Sequence, residues 1–207
     1  MNTAERRQNL KDALVAAAER GLAARGLTGL KARDLAAEVG CAVGAIYNVV
    51  DDLDDLILAV NSRTLTALEG ELEIAARPDA GARGADRAVA RLVRMAVTYL
   101  DFAAAHTRLW RALFDHRLPE GRALPAWFVA QQMRLFSYVE QPLHELAPGL
   151  PADGLALLAR SLFSAVHGIV TLGLEEKLGV VPLDALRAQT TLIVSAIGSG
   201  LAARRAR

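Results

Sequence analysis

Helical periodicity runs along nearly the whole chain, and it constrains the fold more than any other feature. No segment alternates apolar and polar residues between turn signals, as a half-buried strand does. Apolar residues recur instead at three- and four-residue spacing, the period of a helix with one buried face. Leu10, Leu14, Ala17 and Ala18 line a first helix. Leu53, Leu56, Ile57 and Val60 open a later one, which Leu65, Leu68 and Leu72 extend. Val89, Leu92, Val93, Ala96, Leu100 and Ala103 repeat the pattern, as do Leu155, Leu158, Leu162, Val166 and Ile169. Breaks fall at 77–81, at 119–125, at 147–151 and at 179–182, each holding Pro, Gly or both. They imply about nine helices, four short or medium before Pro78 and five mostly long ones after it. The expectation is an all-α protein with a small N-terminal bundle over residues 1–76 and a larger helical domain over 77–207.

Composition narrows the function classes. With 53% hydrophobic and 23% charged residues in 207, the chain can fill a core and is not disordered. Its formal net charge is only +1, so a contact with nucleic acid must come from a local basic patch. The single cysteine, Cys41, excludes a disulfide within the chain and fits a reducing cytosol. The polar N-terminus lacks the apolar run of a signal peptide. The longest uncharged stretches, 161–174 and 188–203, fall short of the roughly 20 apolar residues of a membrane span. A soluble cytoplasmic protein with no membrane partner is expected.

Within the first module, residues 31–39 read as a short helix, Gly40 as its left-handed stop, and 43–49 as a second short helix. Two helices joined by a short glycine-containing turn make either a plain helical hairpin or a DNA-binding helix-turn-helix. Residue identities favour the second. Ala17-Ala18, Gly26, Leu35-Ala36, Val39-Gly40 and Gly44-Ala45-Ile46-Tyr47, then Leu56, stand in order and spacing as in the N-terminal module of the TetR family. The chain resembles that family over about its first 60 residues. A second likeness lies in Ser161-Leu162-Phe163-Ser164-Ala165-Val166-His167-Gly168, followed by Leu172. It resembles the aromatic-then-His-Gly (WHG-type) signature of one class of TetR ligand-binding domains, with Phe163 where tryptophan is usual. The resemblance implies a ligand-responsive regulator, a repressor at family level, bound as a homodimer to a near-palindromic double-stranded DNA operator.

The roles follow from chemistry. Gly44 and Ala45 let the recognition helix approach DNA closely, while Tyr47 and Asn48 offer a hydroxyl and an amide to phosphates or base edges. Lys31 and Arg33 start the preceding helix and can clamp phosphate; Arg6, Arg7 and Lys11 can track the duplex from the N-terminal arm. Each of these cations can equally be a solvated surface charge. Three positions depart from the family. Ala42 stands where Ser or Thr caps the recognition helix, Val50 replaces an aromatic residue, and Leu53 replaces a phosphate-binding lysine among Asp51, Asp52, Asp54 and Asp55. These aspartates suit a helix N-terminus, with Asp51 or Asp52 as cap. Residues 1–60 hold seven basic and nine acidic residues, a net −2, so weak non-specific binding with a shallow salt dependence is expected. The alternative is a TetR-fold protein with weakened or lost DNA binding that acts through protein or small-molecule contacts.

In the C-terminal domain, the two uncharged stretches are too apolar for helices covered on one side only. Ser161, Ser164, Ala165 and Gly168 in the first allow close approach, as do Ser195, Gly198, Ser199 and Gly200 in the second, with Ile193 and Ile197 beside them. A two-fold four-helix interface is expected there. Aromatic residues collect in the middle of the chain. Phe102, His106, Trp110, Trp127, Phe128, Phe136 and His167 are candidates for either plain core or a cavity for a small, largely apolar effector. No cofactor and no metal is expected: the four histidines lack ligand spacing such as His-Glu-x-x-His. Asp115-His116 reads as a surface pair, 81–84 as a poor phosphate loop, and Cys41 as a small buried thiol or, less simply, a redox sensor. No catalytic constellation emerges.

Overall fold

Asn2 and Glu5 open the first helix with reciprocal bonds: the Glu5 N–H donates to Asn2 Oδ1 and the Asn2 N–H to Glu5 Oε2, both 2.8 Å. From there a computed structural model describes residues 2–78, 81, 83–176 and 179–205. Among the described residues it holds nine α-helices and no strand. They are α1 (Thr3–Arg25), α2 (Ala32–Val39), α3 (Val43–Ile46), α4 (Leu53–Ala75), α5 (Gly84–Ala105), α6 (Thr107–Asp115), α7 (Ala126–Leu146), α8 (Ala152–Leu174) and α9 (Leu183–Arg205). A 3-10 turn at Leu27–Gly29 joins α1 to α2. Four helices precede Pro78 and five follow, as the breaks imply; α1 and α4, at 23 residues each, are longer than expected. The 77–81 linker and the 81–84 loop lie partly outside the described residues.

The chain divides into two compact units, Met1–Ala67 with Ala105–Val129, and Leu68–Ala104 with Ala130–Arg207. In the first, α1 contributes Leu14, Ala17, Ala18 and Leu22, α2 Leu35 and Ala36, α3 Ile46, and α4 Leu56, Ile57 and Val60 to one buried cluster. Cys41 packs against it but is only half-buried, less enclosed than the buried thiol expected. Helix α6 lies on α1, and buried Asn61 of α4 donates its amide to the Ala112 carbonyl of α6 at 3.1 Å.

In the second unit, Met95, Tyr99, Leu100 and Phe102 of α5 are buried, as are Ala159, Leu162, Val166 and Val170 of α8. Helix α9 packs on α8, with Leu186, Thr190 and Val194 buried at four-residue spacing. Gly198, next in that row, lies against α5: a Cβ there would stand 2.8 Å from Val89 Cγ2.

One expectation from length needs correction. Helix α8 extends beyond the uncharged run 161–174 to 23 residues, and by length and composition it is apolar enough to cross a membrane. The uncharged run underestimates it because the helix continues past Arg160 through the apolar residues 155–159.

Candidate functional site

The helix-turn-helix follows from its local sequence. Lys31 sits just before α2 in extended backbone, and Gly40 ends the helix at φ 74°, ψ 36°, a left-handed conformation that a Cβ disfavours. Ala42 begins α3 without a side-chain cap. The second helix is shorter than expected. Only Val43–Ile46 is α-helical, and 47–49 continue as a tighter turn, with Asn48 N–H donating to Ala45 O and Val49 N–H to Ile46 O. An uncapped start and two β-branched residues at its end favour that shortening.

Ile46 is fully buried and anchors the segment, whereas Tyr47 is 50% exposed and Gly44 and Asn48 are also exposed; Ala45 is half-buried. Lys31 just before α2, Arg33 on α2, and Arg6 and Arg7 on the first turns of α1 are exposed, and among the described residues none is held in an ion pair. Other cations of this unit are engaged: Arg20 with Glu38 at 2.7 Å and Arg63 with Glu19 at 3.0 Å.

The acidic start of α4 has a partner that sequence reading missed. Asp52 caps the helix, its Oδ1 accepting the Asp55 N–H at 3.0 Å, and Asp55 Oδ2 accepts the Asp51 N–H at 2.9 Å. Arg122, in the loop between α6 and α7, donates to Asp52 Oδ2 and, at 2.7 Å, to Asp55 Oδ1. Desolvation opposes its charge, but the bonds and charges of Asp52 and Asp55 outweigh this and raise its pKa. His116 is not the surface residue expected. Its side chain is 7% exposed and its Nε2 lies 2.8 Å from Asp54 Oδ1. Counted over the whole first unit, with residues 105–129 included, twelve basic face eleven acidic residues, a net +1 in place of −2.

The seven aromatic candidates divide between the units. Trp110 and Phe128 are buried in the first, where His106 and Trp127 are exposed. Phe102, Phe136 and His167 belong to the second. There Phe163 of α8 connects two of them, stacked on His167 at 5.4 Å and edge-on to Phe136 at 5.5 Å. Tyr99 OH lies 2.7 Å from His167 Nδ1, and Thr171 Oγ1 lies 3.2 Å from Nε2. A neutral ring protonated at Nε2 satisfies both, accepting from Tyr99 and donating to Thr171. A surface groove of about 540 Å³ in the same unit runs between α4 and α5, lined by Glu71, Ile74, Ala75, Val93, Arg94, Val97 and Thr98. None of the seven lines it. His106 alone lines a second one of about 510 Å³ in the first unit, with Ala23, Thr107, Arg108 and Arg111.

Burial pushes the His167 pKa below its ordinary value. As pH falls from about 7, the unfolded chain takes up this proton before the native one does, so stability is lost between the ordinary and the lowered value. Denaturant melts at pH 7.5 and 5.5 should show a smaller acid loss in His167→Gln than in the parent; equal losses would exclude the effect.

An exposed turn and short helix on a helical bundle, followed by a larger helical unit, is the arrangement of helix-turn-helix proteins. The family model of the tetracyclin repressor-like C-terminal domain matches residues 92–196, half of the chain. The protein belongs to the TetR family. Its fold is similar to that of a protein of unknown function from Rhodococcus sp. RHA1 (25% identity, TM-score 0.72, 93% of this chain and 95% of that one). It is also similar to a TetR transcriptional regulator from Streptomyces coelicolor (20%, 0.63, 93% and 97%). A third similar fold is a TetR-family regulator from Bordetella parapertussis 12822 (18%, 0.60, 90% and 94%). No curated protein matches the sequence. Family and fold are those of transcription regulators, which generally are not enzymes.

Proposed function

We propose that this chain is a cytoplasmic, ligand-responsive TetR-type repressor that binds a near-palindromic operator as a homodimer. Residues 1–76 are the DNA-binding domain and 77–207 the effector and dimerisation domain, of the aromatic-His-Gly class. The observation that carries the reading is the surface around α3. Ile46 secures the segment from inside, Tyr47 and Asn48 are exposed, and on the preceding helix and its start Arg33 and Lys31 are exposed and, among the described residues, not held in an ion pair. A Cβ at Gly44 would meet nothing within 4 Å, so the protein's own packing does not require glycine there. That space suits close approach of a DNA backbone. Lys31, Arg33, Arg6 and Arg7 supply phosphate contacts, and Tyr47 and Asn48 reach base edges or phosphates.

The dimer surface is the outward stripe of α8. Leu157, Ser161, Ser164, Ala165 and Leu172 are exposed opposite its buried row, and a Cβ at Gly168 would touch nothing. On α9, Leu192 is 61% exposed and joins half-buried Ile193 and Ile197. The effector is a small, largely apolar molecule held near Tyr99, Phe136, Phe163 and His167; its binding alters the spacing of the two heads through different affinities for the two states.

A mobility-shift assay with DNA upstream of the protein's own gene tests the proposal. Tyr47→Ala and Arg33→Ala should each weaken the specific complex about tenfold, in the range of 1–3 kcal/mol per lost contact. With four phosphate-contacting cations in each protomer of the dimer, the logarithm of the binding constant should fall with that of salt at a slope of about 7 or less. Absence of a specific shift at low salt overturns the reading.

A further inference from the structure

Four of the five residues 51–55 are aspartates, and they begin the helix that directly follows the reading head. If nothing balanced them, these carboxylates would repel one another and any phosphate brought to α3. Helix α4 itself holds no cation in its first turn, where Leu53 stands. The compensating charge comes from 67–70 residues further along the chain. Asp52 and Asp55 each turn one oxygen to backbone N–H groups at the start of α4 and the other to Arg122. One planar guanidinium therefore spans the cap residue and the third residue of the helix, which a point charge does less well. A third carboxylate, Asp54, is taken by nearly buried His116, from the same loop. Tyr47 lies only five residues before Asp52, and Val49 and Val50 between them are buried, so the α4 start and the reading head are joined by a short, packed segment.

We propose that Arg122 is a positioning residue for DNA binding: the α6–α7 loop supplies the cation that α4 lacks, which neutralises Asp52 and Asp55 and fixes the seat of the reading head. The role rests on the DNA-binding reading above, so the test has one arm with DNA and one without. Arg122→Ala and Arg122→Lys, the second keeping the charge but not the fork, are compared with the parent. Their affinity for upstream DNA is measured by fluorescence anisotropy at fixed salt, and backbone protection over 43–56 by hydrogen exchange of the free protein. Arg122→Ala should lose at least tenfold in affinity and several-fold in protection at 51–56, with α1 protection unchanged and Arg122→Lys between the two. Adding Asp52→Asn and Asp55→Asn, which keep capping oxygens but remove charge, should restore Arg122→Ala affinity to within about threefold; a merely structural arginine would not be rescued this way. Twofold or smaller changes in both measurements overturn the proposal, as does failure of the rescue. If the parent protein shows no specific DNA binding, the functional reading fails by itself, and unchanged exchange at 51–56 in Arg122→Ala then overturns the positioning role separately.

Discussion

Ala165→Glu is expected to convert a dimer into monomers at micromolar concentration and to lower operator affinity at least about a hundredfold. Ala165 lies on the exposed stripe of α8, so in the single chain a glutamate there stands in water and costs only helix propensity, a few tenths of a kcal/mol. In a two-fold interface each copy brings its own glutamate into the same small-residue seam. An unpaired charge buried there costs several kcal/mol; about 4 kcal/mol raises the dimer dissociation constant about a thousandfold. The second half-site is then no longer bound intramolecularly, and the loss of avidity accounts for the operator effect. Sedimentation velocity reads the first effect and anisotropy the second. Ser161→Glu should act in the same way, whereas Arg187→Glu, on the α9 face that meets Asp101, should leave the mass unchanged. A parent protein that sediments as a monomer, or an Ala165→Glu variant that remains a dimer, rules out this surface.

The surface shows what the sequence could and could not reveal. Period and punctuation are local properties, so the helices and the Gly40 stop are legible from residues a few positions apart. Which side of an apolar helix faces outward is not local. Small residues mark close approach, but Gly198 approaches Val89 of its own chain, whereas large, apolar Leu192 is left exposed. Aromatic spacing behaves similarly. It identifies a helix face but not its neighbour, so Phe136 and His167 were legible as candidates, whereas Phe163, which joins them, stood out only as a signature residue.

The clearest gap is electrostatic. Asp51, Asp52, Asp54 and Asp55 are read from sequence as an uncompensated charge because Arg122 and His116 lie more than 60 residues away. Counting charges by segment assigns them to different domains; packing assigns them to one unit. The recognition helix was overextended for the opposite reason. Nothing in Tyr47-Asn48-Val49 signals a stop as strongly as Gly40 does, and the tightening after Ile46 reflects a missing cap and β-branched residues, each a weak effect alone.

Arg91→Ala is expected to destabilise the second unit by about 3 kcal/mol, the largest effect of any surface-distant charge in it. The last carbonyls of α4 lack helical partners, and two arginines of α5 satisfy them. Arg91 Nε donates to Ala76 O at 2.9 Å, and Arg94 donates to Ala75 O and Arg77 O at 3.1 and 2.6 Å. The cations also sit at the negative end of the helix dipole. Arg91 is 5% exposed, and its other nitrogens donate to Glu145 at 2.7 Å and Gln141 at 2.8 Å. Truncation therefore strands a carbonyl and an amide oxygen and takes the nearest partner from a carboxylate. Breaking a buried pair costs about 3–5 kcal/mol. The lower end applies because Glu145 keeps partial solvent contact and a second arginine, Arg87, at 3.9 Å. At roughly 2–4 °C per kcal/mol for a chain of this size, the midpoint should fall by about 6–12 °C. Arg187 provides the contrast: it bridges Asp101 and Asp184 at 2.7 and 2.5 Å but in partly exposed positions, so Arg187→Ala should cost clearly less than Arg91→Ala. Urea denaturation of both variants decides the matter. Arg91→Met combined with Glu145→Met should recover much of the loss, because the cost lies in the groups left without a partner rather than in the pair itself. If Arg91→Ala and Arg187→Ala unfold at the same denaturant concentration, Arg91 does not hold the end of α4.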